Sequence, residues 1–326
     1  MKKNILFFTE ASNKIGYGHL SRCLALSEFL KIKHKIFFVS KYKIKKLLPK
    51  YFKIINFDNF RNYFFDAVIV DLKKIDKNYF KKINALNVTK KIIISEKIYL
   101  KLKPSLTIIP YLNNLKKNKE NKVISGLDSL IFNKKLISSA KKKIMRKNKS
   151  SQLNITLCFG GSDPENYTCK IVKDLVRLNL NFNFKIIIGS LYNKENEKKL
   201  KNIIYNLSNY KIYKNPNNLY SIFKRSKLAI INSGNIKYEI AALGVPFFLF
   251  ANDHKSKFFC RIFKNHFKFF NYKNFDYPEK KYLNTFLGSL IRSEKKLNYY
   301  AKFNKNQINL KSIDNVVKNI NNTIIY

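Results

Sequence analysis

Short runs of Ile, Val, Leu and Phe recur along this chain, each separated from the next by a lysine-rich segment of helical length. In the first half they are "NILFFT" (4–9), "KIFFVS" (35–40), "KIINF" (53–57), "AVIVD" (67–71), "KIIIS" (91–95) and "LTIIP" (106–110). All but the third are nearly continuous in apolar residues, as expected of parallel strands covered by helices on both faces. A second series comprises "NITLCFG" (154–160), "FKIIIGS" (184–190), "YKIYKN" (210–215), "KLAIINS" (227–233), "PFFLFA" (246–251) and "FKFFNY" (267–272). Alternating β and α segments predict an α/β chain of two doubly wound, Rossmann-like domains. The charged stretch "SSAKKKIMRKNKSSQ" (138–152) divides them into residues 1–145 and 151–326, and the second ends in a helical tail from about residue 278 that packs on the sheets. Ligands of such sheets bind outside the carboxyl ends of the strands, so tandem domains predict a ligand cleft between them.

At 326 residues the chain has room for two cores. No apolar run approaches the roughly 18 to 20 residues of a spanning helix, so no integral membrane contact is expected. The apolar run after Met1 is too short for a signal-peptide core, and Glu10 follows it. Cys23, Cys158, Cys169 and Cys260 lack C-x-x-C spacing and read as buried thiols of a reducing, cytoplasmic protein. A formal net charge of +45 would ordinarily point to polyanions. The lysines are dispersed, however, and arginine occurs at seven positions only, as in a tolerant surface written from AT-rich codons. The expectation is therefore no nucleic-acid partner, with weak association to an anionic membrane surface compatible with the charge.

Three glycine-bearing turns follow predicted strands. The first, "IGYGHLSRCLAL" (15–26), sets Gly16, Tyr17 and Gly18 before His19 and Arg22 at the start of a helix, in a chain with four histidines. There the helix dipole disfavours the imidazolium, leaving a neutral ring able to take a proton. Spacing alone leaves this open against a merely shaped loop, because G-x-G-H lacks the third glycine of a dinucleotide fingerprint. The second turn, "LCFGGSDPENYT" (157–168), offers Gly160 and Gly161 for close ligand approach, with Ser162 or Asp163 as N-cap and Pro164 as first helical residue. The third, "INSGNIKYEIAALGVP" (231–246), would present Ser233, Gly234 and Asn235 as donors at a helix N-terminus, followed by Glu239 as an acceptor for a ribose diol. Gly244 and Pro246 read as helix stop and strand start. Together the turns suggest a nucleotide-linked ligand. No Walker lysine loop, G-x-S-x-G, H-E-x-x-H or Asp-x-Asp occurs, so neither a metal site nor a cofactor is predicted.

At these three motifs, in order and across nearly the whole chain, the sequence resembles the UDP-2,4-diacetamido-2,4,6-trideoxy-β-L-altropyranose hydrolases of pseudaminic acid biosynthesis and the related spore-coat polysaccharide proteins. More distantly it is similar to the MurG-type N-acetylglucosaminyltransferases. The resemblance implies a GT-B-like fold of two Rossmann-like domains and a UDP-sugar substrate. It makes His19 the base that activates water at the anomeric carbon and sets Gly16, Tyr17, Gly18 and Arg22 on the sugar side. The diphosphate would lie at Ser233–Asn235, the ribose on Glu239 and the uracil near Leu219. The chain departs from the family pattern at Phe8, Glu10, Lys73, Ser95 and Glu96, positions in the domain that chooses the sugar. A GT-B glycosyltransferase, in which the same base acts on a sugar hydroxyl, is the alternative, and a non-catalytic nucleotide-sugar-binding protein is a second.

Overall fold

The computed structural model describes residues 2–112, 122–142, 153–290 and 293–325. Its contacts divide the chain into two compact units, Met1–Lys134 with Asn309–Tyr326, and Lys135–Ile308.

The first unit carries β1 (Asn4–Thr9), α1 (Gly18–Leu30), β2 (Lys35–Val39), β3 (Lys53–Ile55), β4 (Phe65–Asp71), α2 (Lys77–Asn84), β5 (Val88–Ile94), β6 (Leu106–Ile109) and β7 (Val123–Ser125). The strands form one sheet in the order β3-β2-β1-β4-β5-β6-β7, and every pair is parallel. Strand progress therefore reverses between β1 and β4, whose last residues Thr9 and Asp71 are register partners. Ile5 to Phe8 of β1 are wholly buried, the expected state of a central strand covered on both faces. Strand β7 is not among the sequence expectations; three half-buried residues at a sheet edge leave too short a pattern to read.

The second unit opens with α3 (Lys134–Lys141), followed by β8 (Leu153–Cys158), α4 (Tyr167–Leu178), β9 (Phe182–Ile188), α5 (Lys194–Ile203), β10 (Tyr210–Lys214), α6 (Leu219–Lys224), β11 (Leu228–Asn232), α7 (Ile236–Leu243), β12 (Phe247–Phe250), α8 (His254–His266), α9 (Lys280–Leu290) and α10 (Glu294–Gln307). Its sheet is also parallel, in the order β10-β9-β8-β11-β12, with the reversal between β8 and β11. Leu283, Leu287 and Leu290 of α9 and Leu297 of α10 join the core of this sheet.

Two expectations are corrected. Residues 267–272 do not form a strand: Phe270 alone makes a bridge, to Phe248 of β12. Two residues earlier, the buried Asn304 side chain of α10 accepts from the Lys268 N–H (2.8 Å) and donates to its carbonyl (2.7 Å), taking both groups a neighbouring strand would use. The tail also does not stay with the second unit. The last helix, α11 (Ser312–Ile325), lies against α1, β5 and β6 of the first. Ile313, Val316, Ile320 and Ile324 form its buried stripe, and Ser312 Oγ donates to the Leu130 carbonyl at 2.9 Å. The units part at Lys134/Lys135, a few residues before the expected charged segment, and residues 143–152 lie outside the described residues.

Asn304 therefore stands in for a strand. Asn304→Ala, which strands two buried backbone groups, is expected to lower the unfolding free energy in urea by about 2–4 kcal/mol; a loss under about 0.5 kcal/mol would contradict this role.

Candidate functional site

The predicted site residues fall at the two sheet reversals, where neighbouring strand ends diverge and leave room for a ligand. In the first unit the chain leaves β1 through a loop closed on itself. Gly16 N–H donates to the Ser12 carbonyl (2.8 Å), and Ile15 N–H to Ser12 Oγ (3.2 Å). Gly16 has φ +97°, which an L side chain rarely adopts. Tyr17 is the N-cap of α1 without a capping side chain, and no acidic residue lies in the first turn. Burial pushes the Tyr17 phenol up, so it remains protonated. A Cβ on Gly18 would meet nothing within 4 Å, so the first turn opens onto free space.

His19 and Arg22, three apart on α1, share one face of the helix and meet Asp71 at the end of β4. Asp71 Oδ1 lies 2.6 Å from His19 Nδ1 and 2.7 Å from Arg22 Nη2, and Oδ2 accepts from Arg22 Nε at 2.8 Å. The Asp71 side chain is fully buried, that of Arg22 is 9% exposed and that of His19 19%. Burial works against the Asp71 carboxylate, but Arg22 and His19 outweigh it and hold the carboxyl below its ordinary value. An ionised carboxylate only accepts hydrogen bonds, so the close contact assigns a ring proton to Nδ1; in the neutral ring the lone pair is then on Nε2. The Arg22 guanidinium also sits 5.5 Å from the centre of the Tyr111 ring.

A second carboxylate braces the same strand pair in the opposite sense. Glu10, buried just beyond β1, accepts from the Lys73 N–H (2.6 Å) and the Tyr79 hydroxyl (3.2 Å), both beyond β4. Phe8, another departure from the family pattern, packs its ring against Phe57, Phe60 and Tyr79. Sequence reasoning assigned no role to Asp71. The available signal was a lone carboxylate closing the otherwise apolar run "AVIVD".

In the second unit Gly160 has φ +93° and open space where a Cβ would stand. Beside it the backbone of Gly161 is closely approached by Gly189, a glycine the sequence left without a role. A Cβ on Gly189 would lie 2.4 Å from the Gly161 Cα, and the Gly161 carbonyl accepts from Leu191 N–H, so two backbones pack directly. Ser162 is buried beside them. The capping arrangement differs from expectation. Helix α4 begins at Tyr167, with Pro164 in the turn before it, and Asp163 reaches forward to accept from the Tyr167 and Thr168 N–H groups (3.0 and 2.8 Å). Asn166 at the N-cap position makes no side-chain cap, and the aspartate caps the helix from outside it.

At the end of β11, Asn232 Nδ2 donates to the Phe159 carbonyl at 3.1 Å, tying this strand end to the chain just beyond β8. The buried Lys237 ammonium donates to the Ser233 carbonyl (2.8 Å) and lies near the Tyr238 and Phe263 rings. In a trans peptide the N–H opposes the C=O, so holding the Ser233 carbonyl on Lys237 turns the Gly234 N–H the other way. Asn235 is the N-cap of α7 and makes no side-chain cap. Desolvation pushes the Glu239 carboxyl up to about 7, while a hydrogen bond from Tyr220 on α6 pulls it down. Leu219, predicted near the base, opens that same helix α6. Gly244 (φ +66°) ends α7 and β12 starts at Phe247, as predicted.

Among the described residues no group of three or more His, Cys, Asp or Glu is placed to hold a metal ion, and no helix is long and apolar enough to cross a membrane. The four cysteines are free and buried.

No family model matches the chain. It is 30% identical over 266 residues to uncharacterized protein MJ1062 of Methanocaldococcus jannaschii; the match covers 74% of this chain and 54% of that protein, so the chain spans about half the length of the curated relative it matches. Among solved structures it is similar to MurG of Acinetobacter baumannii (TM-score 0.67, 12% identity, 98% of this chain and 99% of that one). It is also similar to Anabaena HepE in complex with UDP-glucose (TM-score 0.64, 12% identity, 98% and 99%) and to the spinosyn rhamnosyltransferase SpnG (TM-score 0.63, 9% identity, 99% and 100%). At these identities the likeness is one of fold: the chain has an α/β, two-unit GT-B-like fold shared with glycosyltransferases.

The raised Glu239 carboxyl has a stability consequence of definite sign. Its folded value of about 7 exceeds the ordinary 4.5, so the folded state binds this proton more tightly and stability is lost as pH rises from about 4.5 to 7. Glu239→Gln is therefore expected to melt about 2–4 °C above wild type at pH 8 and level with it at pH 4.5. Equal melting at both pH values would refute the shift.

Proposed function

We propose that the protein is a hydrolase of a UDP-sugar, working on a soluble nucleotide sugar in the cytoplasm. The observation that supports this most is the His19–Asp71 pair, which holds the ring by Nδ1, leaving Nε2 as the nitrogen that can take a proton, at the head of an uncapped helix. In the proposed reaction Nε2 takes a proton from water as its oxygen bonds to the anomeric carbon. The bond from that carbon to the β-phosphate oxygen breaks, and UDP leaves with the electron pair. Backbone donors at Ser233, Gly234 and Asn235 stabilise the leaving diphosphate, Glu239 accepts from the ribose, and Gly160, Gly161 and Ser162 line its approach. Gly16, Tyr17, Gly18 and Arg22 shape the sugar side. The motif resemblance specifies a 2,4-diacetamido-trideoxy sugar, released free for the synthesis of pseudaminic or related nonulosonic acids of surface glycans.

A glycosyltransferase is the second reading, favoured by the likeness to MurG and to HepE in complex with UDP-glucose. There His19 deprotonates a sugar hydroxyl instead of water.

Purified protein incubated with a panel of UDP-sugars is expected to release UDP without any acceptor. His19→Asn should reduce that rate by about 10²-fold or more while changing UDP affinity less than about threefold. Release that depends strictly on an added acceptor would replace the hydrolase by the transferase, and unchanged turnover in His19→Asn would remove the base role from both.

A further inference from the structure

A carboxylate held 2.6 Å from Nδ1 in a fully buried site has two opposed effects on a general base. It selects the useful tautomer, but it also attracts a second proton, because an imidazolium beside an unscreened carboxylate is a favourable ion pair. A ring that keeps that proton at neutral pH is no base. Here the carboxylate is already answered. Arg22 is forked onto both Asp71 oxygens, at 2.8 and 2.7 Å, and its Nη2 lies 3.0 Å from His19 Nδ1. With a neutral ring the trio has zero net charge, and with an imidazolium it has one positive charge confined beside a guanidinium.

We infer that Arg22 is a positioning residue that keeps His19 unprotonated at Nε2 and so sets the lowest pH at which the ring can act as a base. This rests on the base role proposed above. Among the described residues, the other groups around the trio oppose it weakly. Cys23 on the same helix is held neutral by burial. Tyr111, after β6, meets the guanidinium through its ring face. Tyr17, ahead of the helix, stays a protonated phenol. Glu10, beyond β1, has both oxygens engaged by Lys73 N–H and Tyr79. Arg22 is thus the cation in direct contact with both members of the pair. The planar fork matters as well as the charge, since a lysine ammonium is a point charge that does not match the two carboxylate oxygens.

The test is an NMR titration of the ¹⁵N-labelled imidazoles in the full chain, with the His19 signal identified by its loss in His19→Asn. In Arg22→Gln the midpoint of the His19 titration is expected to rise by about one pH unit or more, a tenfold gain in proton affinity. Arg22→Lys, which retains a cation, should restore more than half of that shift. An unmoved or lowered midpoint in Arg22→Gln overturns the inference, as does a lysine variant that behaves like the glutamine one. If Arg22→Gln does not fold, Asp71→Asn and Asp71→Asn/Arg22→Gln replace it. The midpoint must then be higher in the double variant, and equality overturns the inference. In a chain that releases UDP, the acid limb of kcat/KM moves in the same direction as the ring. A wild-type protein that releases no UDP while its ring shift is intact counts against the proposed reaction alone, and an unmoved ring counts against Arg22 alone.

Discussion

The Asp71 carboxylate has no contact with water, and a buried charge is tolerated only when its lone pairs are answered. Arg22 and His19 answer them, and this obligation fixes α1 against the end of β4. Removing one partner of such a pair typically costs roughly 3–5 kcal/mol, which is more than the net worth of most single contacts in a domain. The position of the imidazole is therefore a by-product of electrostatic necessity. Glu10 completes the arrangement from the other strand, holding the chain beyond β4 through Lys73 and Tyr79. Each of two adjacent strand ends thus braces the loop of the other, at the point where the sheet reverses.

The second unit solves a different problem with weaker, more numerous interactions. Its loops present backbone groups, so what must be controlled is the direction of peptide planes. Asp163 caps α4 from four residues away, Asn232 ties the end of β11 to Phe159, and Lys237 holds the Ser233 carbonyl inward. Gly189 brings its backbone against that of Gly161, where a Cβ on Gly189 would collide. These devices fix the directions of the backbone groups after β8 and β11, and in both sheets strand progress reverses beside the first strand of the unit.

Among the described residues eleven of the twelve strands were legible, chiefly because a strand buried on both faces must be apolar throughout, and that pattern survives in the sequence whatever surrounds it; the edge strands β3 ("KIINF") and β10 ("YKIYKN") carry it weakly, and the edge strand β7 not at all. The segment 267–272 carried a strand-like pattern for another reason. Its aromatic residues pack into the core, while the Lys268 backbone is claimed by Asn304, thirty-six residues away. The apolar stripe of α11 was equally visible, but an amphipathic face states only that a partner exists. That the partner is the first unit is a matter of chain path.

For the site, local sequence determined what local chemistry can determine: glycines where the backbone needs positive φ or open space, and a histidine in the first turn of a helix. Gly16, Gly160 and His19 were recognisable on those grounds. The tertiary structure alone decided the partners. Asp71 lies fifty-two residues from His19, and Gly189 twenty-eight from Gly161. A carboxylate's role depends on which charges share its low-dielectric surroundings, and those neighbours are brought together by sheet order rather than by spacing along the chain.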